Sequence, residues 1–552
     1  MIKIVSLLFF CFFNSYSQTR TVGLIQNDST KSFFGYTLFS PTSSDTTYLI
    51  DINGNKVRTW KSNYRPGQAV MLLSNGDLLR TATPGGQTIP LNGGGAGGIV
   101  EKYNWSGNLI WSFNQYSSTY RSHHDVEILP NGNILLIVWV VKTKAEAQSV
   151  GRTTFPQNVA EIWSEKIIEV KPTGANSGEI VWEWHAWDHL IQDVDNAKPN
   201  FGVVSNHPEL VNINCASIQT DWLHINSIRY NQKFDQILLS VHNANEIWII
   251  DHSTTTVEAK SHAGGKSGKG GDLLYRWGNP INYKTGSTGD QKLFLQHDAR
   301  WIDSGFVGAG NILIFNNGQG RPGGNYSSIE EITPPVNANG IYSISVNSAF
   351  GPTNTTWNYT ALTPTDFYGQ NISGASRLPN GNTLICSGPS GNFFEVTQDK
   401  KTVWKYVNPV MQSGIAKQGQ TPTNNMVFKI YRYAPNYAAF TGRSLTSLGP
   451  IEIYTTTVAE KKYLPENFKL FQNYPNPFNP TTKINFSLPN NEFVEIKIYD
   501  LLGNLVFKLT ENNFSAGVHA VDFNGNKLNS GVYFYKIKAG SFIDIKKMIL
   551  LE

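Results

Sequence analysis

The 552 residues carry a formal net charge of only +4, with 16% charged side chains and no basic block, so nucleic acid is not an expected partner. The length can bury at least two cores or one large radial one, and plentiful Gly, Asn, Thr and aromatic residues suit short strands joined by tight turns. Beyond the first residues, no segment approaches the roughly 20 apolar residues that a membrane-spanning helix needs.

The chain opens MIKIVSLLFFCFFNSYSQ, with one lysine, then an apolar run, then small residues around Ser15 to Ser17. This pattern reads as a secretory signal peptide over 1–17, cleaved after Ser17. Two cysteines then remain, Cys215 and Cys386. They lack metal-ligand spacing and are read as two separate buried thiols.

From residue 20 to about 445 a coarse pattern repeats. Its first element is apolar, Pro/Ser-Asn-Gly, apolar: MLLSNGDLLRT at 71–81, ILPNGNILLI at 128–137 and RLPNGNTLIC at 377–386, with GAGNILIF at 308–315 as a variant. Asn-Gly between apolar runs predicts a hairpin, because both residues tolerate positive φ. A Trp- or aromatic-bearing strand follows: GNLIWSFN at 107–114, GEIVWEWH at 178–185, GDLLYRWG at 271–278 and KTVWKYVN at 401–408, with an early copy, DINGNKVRTW, at 51–60. Five core hairpins centre near 75, 131, 235, 311 and 380, and MVFKIYRYAPNYAAF at 426–440 supplies the inner part of a sixth. One hairpin cannot hide its apolar faces, whereas repeats stacked around an axis can. The expected fold is all-β: a six-bladed β-propeller over 18–445, its last blade completed by N-terminal strands near 34–60. KAEAQSV at 144–150 reads as a short helical excursion, and GGGAGG at 93–98, without a phosphate loop's Lys/Ser-Thr ending, as a flexible turn. The pattern stops in a linker at 446–464, and short alternating strands over 465–552 predict a small C-terminal β-sandwich.

Ten of the eleven histidines fall between residues 123 and 297. Three of them begin repeated segments at matching points: His124 in HDVEILPNGNILLI, His224 in HINSIRYNQKFDQILLS and His297 in HDARWIDSGFVGAGNILIF. One reactive residue type at equivalent positions of a repeat suggests convergence on a common point. A lone histidine is ordinarily structural, and His207 and His262 are read so. Asp125 and Asp298 follow two of the three; adjacent strand residues point to opposite faces, so they are expected to brace blade backbone. Arg276 is expected to anchor a blade edge. His185, Asp188 and His189 in WEWHAWDHLIQD form a second polar knot, either a loop over the funnel mouth or a packed loop.

Two segments carry resemblances. NYPNPFNPTT at 473–482, IYDLLGN at 498–504 and the closing GVYFYKI with KKMIL resemble the type A sorting domain of the type IX secretion system. That resemblance implies the secretion machinery as a partner and a location that is secreted or on the outer surface of a Gram-negative bacterium. HHDVEILPNGNILLI, DWLHINSIRYNQKFDQILLS, QHDARWI with NILIFNNG, and RYAPNY resemble the bacterial arylsulfotransferases that transfer sulfuryl groups from aryl sulfates. It implies a six-bladed propeller whose funnel histidine is transiently sulfated by an aryl sulfate donor and passes the group to a phenolic acceptor, with no cofactor. The sulfated histidine falls on His297, the supporting histidines on His124 and His224, and an asparagine on Asn226. The family's catalytic arginine is replaced, since the matching stretch LLSVHNANEIWII has His242 in its place, and the family's small N-terminal β-domain has no counterpart.

A neutral imidazole has an unprotonated nitrogen able to attack sulfur, which suits His297 as nucleophile. His224 and His124 would stabilise developing oxygen charge or protonate the leaving phenolate, and the Asn226 amide would hold a sulfuryl oxygen. Arginine grips two oxygens in a fixed fork, so His242 replaces it only when protonated, and Arg321 in NNGQGRP is a candidate substitute cation. Two other functions fit the same residues: a metal-dependent propeller enzyme, with channel histidines as ligands, and a non-catalytic module binding glycans or aromatic compounds.

Overall fold

The computed structural model describes residues 20–85, 90–216, 218–345, 348–454, 465 and 467–551, so the expected signal peptide and most of the linker lie outside the described residues. Strands in small antiparallel sheets dominate, and no described helix is long and apolar enough to cross a membrane. The predicted helical excursion is a six-residue helix, Lys144–Ser149, capped by Thr143 and Glu146 bonding reciprocally to each other's backbone.

Six sheets of four or five strands follow one another along the chain. The first five begin with strands Arg65–Leu72, Tyr120–Ile128, Ile225–Asn231, His297–Trp301 and Gly374–Arg377, and each is paired to the next strand as the hairpin signals required. The sixth begins with Tyr431–Tyr433, but its other strands are Tyr36–Phe39, Thr46–Ile50 and Lys56–Lys61 from the opposite end of the chain. Gly23–Asn27 lies on the outer edge of the fifth sheet, against Thr402–Val407. The fold is therefore all-β and propeller-like.

The tryptophan strands are the outermost of their sheets, except in the fifth, where Gly23–Asn27 lies outside Thr402–Val407, and the reason for the residue type is visible there. Each donates an indole N–H to a backbone carbonyl of the following sheet or its connection: Trp111 to Ser177 (3.0 Å), Trp184 to Gly271 (2.7 Å), Trp277 to Pro352 (2.8 Å) and Trp357 to Gln398 (3.1 Å). Trp404 of the fifth sheet reaches Ile52 in the sixth (2.8 Å), and Trp60 of the sixth reaches Asn104 in the first (3.1 Å). A large apolar ring fills the wedge between sheets, and its one polar atom satisfies a carbonyl that the wedge cuts off from water.

The inner ends meet differently. Arg229 of the third sheet contacts Asp125 of the second (2.8 Å), Asp298 of the fourth (3.1 Å) and the Tyr431 hydroxyl of the sixth (2.8 Å). Lys429 Nζ lies 2.6 Å from Asp125 and 3.7 Å from Asp298, and Arg300 holds the other oxygen of Asp298. Asp125 also accepts from the Ile228 backbone N–H, so the two aspartates brace neighbouring sheets as expected. Arg276 anchors an edge, buried against Glu246 and the Leu210 carbonyl. Cys215 and Cys386 are separate buried thiols, and burial raises both pKa values.

The C-terminal segment has its own core. A three-stranded sheet and a four-stranded sheet share Phe486, Ile496, Tyr535 and Met548 in one apolar cluster, the two-layer arrangement expected of a small sandwich.

Substituting Lys429 by Met would leave two buried aspartates short of positive charge. Lys429→Met is expected to cost about 3 kcal/mol or more in denaturant unfolding; an unchanged midpoint would remove the cluster from the determinants of stability.

Candidate active site

The first strands of the second, third and fourth sheets are each interrupted by a bulge, at Leu136/Ile137, Ile225/Ser227 and His297/Arg300 in the pairing register. At these places non-glycine residues take left-handed backbone: His124 (φ 52°), His224 (φ 52°) and Asp298 (φ 50°). Such backbone costs about 1–3 kcal/mol per residue, so packing around the bulges must enforce it. His124 lies inside its strand at the bulge, whereas His224 immediately precedes its strand and His297 opens one.

The bulges bring four imidazoles into a continuous row. Ring centroids are 4.5 Å apart for His124 and His224, 5.0 Å for His224 and His242, and 5.0 Å for His242 and His297. His242 enters from the turn after Gln236–Val241, so the position of the expected arginine does belong to the site. His124 and His297 are buried, while His224 and His242 keep partial exposure.

Each ring has a different partner on Nδ1. His297 faces Asn317 Oδ1 at 2.8 Å, and the Asn317 amide nitrogen is committed to the carbonyls of Gly369 (2.6 Å) and Ile372 (3.0 Å). Two carbonyls on one side fix the amide's orientation, so His297 must donate from Nδ1 and keep its lone pair on Nε2. His224 meets the Asp221 carboxylate at 2.5 Å, a contact that stabilises positive charge on that ring. His242 meets Asn243 Oδ1 at 2.7 Å. His124 meets His123 Nδ1 at 2.8 Å, and His123 Nε2 in turn meets Glu165 at 2.9 Å while stacking on Trp139.

Burial sets the charge of the row. It pushes the pKa values of His123, His124 and His242 well below the usual imidazole range, assisted by neighbouring rings, and that of His297 to about 4. Burial and the nearby Asp221 charge raise Glu165 well above the carboxylate range. Glu165 as a carboxylic acid would donate to His123 Nε2, and the same direction of donation along the relay would place the His124 proton on Nε2, a neutral hydrogen-bond donor. His242 is neutral in this environment and does not replace the arginine's charge.

The other predicted residues are placed differently. Asn226 is fully buried one bulge away and donates to the carbonyl of Gln296 (2.8 Å), so it positions the backbone just before His297. Arg321 bonds Ser328 (2.7 Å) and lies over Tyr326; among the described residues no contact joins it to the row. His189 of the polar knot packs against the third sheet's loop, bonding Asp272 and the Ala259 carbonyl. The glycine-rich turn covers the row: Gly95 accepts from the His124 N–H (2.8 Å), and a Cβ at Gly95 would fall 2.2 Å from the His124 ring. An open cavity of 890 Å³ lies at the far ends of the same first strands, beside Glu127, Arg300 and Tyr431 and not beside the histidines.

Sequence reasoning missed Asn317, Asp221, Asn243, His123 and Glu165. Asn317 stood within NILIFNNG and His123 within HHDVEIL, but neither offered a repeated phase to mark it.

Comparison with known proteins places the chain in a family. A family model for arylsulfotransferase (ASST) matches residues 18–433, and one for a secretion system C-terminal sorting domain matches residues 472–551. The sorting domain makes this a secreted or cell-surface protein. No functionally curated protein matches the chain. Among solved structures, a protein of unknown function from Bacteroides caccae is similar at 12% identity, covering 72% of this chain and 98% of its own, with a TM-score of 0.39. The virginiamycin B lyase from Staphylococcus aureus is similar at 11% identity, covering 66% and 83%, with a TM-score of 0.28. The family match spans more than half of the residues and contains the whole histidine row: the chain belongs to the arylsulfotransferase family and is a sulfuryl-transferring enzyme.

Proposed function

We propose that the enzyme moves a sulfuryl group from an aryl sulfate to a phenolic acceptor through a sulfated His297, within a six-bladed propeller that closes as a ring. The proposed division of the chain is a signal peptide at 1–17, the propeller at 18–445, a linker at 446–464 and the sorting domain at 465–552. Closure is supported by the six indole bonds, which run from each sheet to the next and from the sixth back to the first.

The observation that carries the mechanism is the bond between His297 Nδ1 and Asn317 Oδ1. It leaves Nε2 as the nucleophile. In the first half-reaction the Nε2 lone pair forms a bond to sulfur as the sulfur–oxygen bond to the aryl group breaks. His224, as imidazolium paired with Asp221, gives its Nε2 proton to the departing phenolate oxygen. In the second half-reaction neutral His224 takes the proton of the acceptor phenol, whose oxygen attacks sulfur as the N–S bond breaks. An amide oxygen can accept the Nδ1 hydrogen bond but cannot take the proton. The sulfated ring therefore stays cationic and remains a good leaving group. His124, presented as a donor by the Glu165 relay, stabilises the sulfuryl oxygens, and Asn226 positions His297 through Gln296. Neutral His242 donates from Nδ1 to Asn243, so it would hold a sulfuryl oxygen only when protonated. Arg321 would serve as a substrate-binding cation only by turning from Ser328 toward the row.

Transfer from 4-nitrophenyl sulfate to phenol tests the assignment. His297→Asn is expected to lower the rate by about 10³-fold or more, and an undiminished rate refutes the nucleophile. Asn317→Asp lets the sulfated ring lose its proton, so the intermediate should accumulate as protein one SO3 heavier while product release slows.

Only the neutral ring attacks, so protonation of His297 removes activity. With its pKa near 4, sulfation of the enzyme should fall tenfold per pH unit below about 4 and be flat just above it. A rate that falls on the acid side already near the ordinary imidazole value would contradict the buried, neutral ring. His242→Arg would bring a permanent charge beside His297 and is expected to raise transfer about tenfold at neutral pH; a lower rate would show that the row is tuned to work without it.

A further inference from the structure

Among the described residues, one group of histidine, cysteine or carboxylate side chains has ligand atoms close enough to share a cation, and it lies away from the histidine row. His189 Nδ1, His262 Nδ1 and the Asp272 carboxylate lie within 4.8 Å of one another. His189 sits in the turn that follows the outermost strand of the second sheet, Ser177–His185. His262 and Asp272 belong to the loop between Glu246–Asp251 and Tyr275–Trp277 of the third sheet.

The hydrogen bonds around His189 are those of a metal ligand. Its Nε2 lies 2.9 Å from the Ala259 carbonyl, which only accepts, so the ring must donate there. The ring is held flat by Trp184, stacked at an interplanar angle of 7°, and the absence of a side chain at Gly271 admits it, since a Cβ there would lie 2.6 Å from Nε2. With Nε2–H committed, Nδ1 faces Asp272 Oδ1 at 2.8 Å, a place where a metal ion can take the position of a shared proton. His262 Nδ1 approaches the same oxygen at 2.7 Å from the solvent side, with a side chain 61% exposed. Ligands at about 2.0–2.2 Å from one tetrahedral zinc ion stand about 3.3–3.6 Å apart, so the side chains would spread by roughly half an ångström or more to admit it. A backbone carbonyl on the second nitrogen is the usual way a ligating imidazole is oriented.

We propose that His189, Asp272 and His262 form a divalent transition-metal site, of zinc type, that clasps the second sheet to the third, with water completing the coordination on the exposed side. Two imidazoles and one carboxylate suit zinc over calcium or magnesium, which prefer all-oxygen sites. The site shares no residue with the sulfuryl-transfer row.

The full-length protein, stripped with a chelator and dialysed, is titrated with zinc by calorimetry and with cobalt by visible absorption. One equivalent of zinc should bind, with a rise of a few degrees in Tm, and cobalt should give a ligand-field band. His262→Ala, a change at an exposed side chain, should weaken zinc binding at least tenfold and abolish the Tm rise; Asp272→Asn should do the same. Absence of saturable binding in the native protein overturns the proposal. So does unchanged binding in His262→Ala, or binding that survives there but is lost in His224→Ala, which would put zinc on the histidine row.

Discussion

Five charged side chains cluster where the first strands of the sheets meet, and the rest of the molecule is arranged around keeping them paired. An isolated charge at such a place would cost several kcal/mol. Arg229 forks between aspartates of two neighbouring sheets, and Lys429 lies beside both. The pairing sets the spacing of the inner strands and closes the bottom of the histidine site. His124 and His297 each precede one of these aspartates, and Phe428, which touches His124, precedes Lys429. The reactive row is thus attached, residue by residue, to the most strongly constrained part of the fold.

Above that floor, four identical side chains are given different tasks by what touches Nδ1. A carboxylate at His224 supports a charged ring, amide oxygens at His297 and His242 support neutral ones, and the His123–Glu165 relay makes a neutral donor of His124. The difference between an amide and a carboxylate at one ring nitrogen separates nucleophile from proton donor. His242 shows the limit of reading chemistry from position. It joins the row where the family resemblance led an arginine to be expected, yet burial lowers its pKa well below the usual imidazole range. The positive charge of the proposed mechanism is then left to His224, paired with Asp221.

The repeat made much of the fold legible. Asn-Gly turns located the inner hairpins, the tryptophan strands proved to lie at the outer side of their sheets, and the N-terminal strands were correctly expected beside 426–440. The convergence of His124, His224 and His297 was readable because bulges in successive sheets occupy the same phase. What escaped notice depends on contacts between distant segments. Asn317 matters because Gly369 and Ile372 turn its amide, and nothing near residue 317 records that. Gly95 was read as a flexible turn, but its missing side chain is what lets backbone lie against His124. Arg321 seemed available from its place in the chain, whereas an aromatic ring and a serine hold it.

The sixth sheet joins the two ends of the enzyme, with Tyr36–Phe39 paired to Tyr431–Tyr433. Almost four hundred residues separate these partners, so their pairing cannot form until nearly all of the intervening chain has been delivered. Such long-range pairing is slow to form. Until then, Tyr36–Phe39 is an unpaired sheet edge, open to proteases and to edges of other molecules. For a protein that must leave the cell, that edge therefore stays exposed until the last strand of the sixth sheet has been delivered.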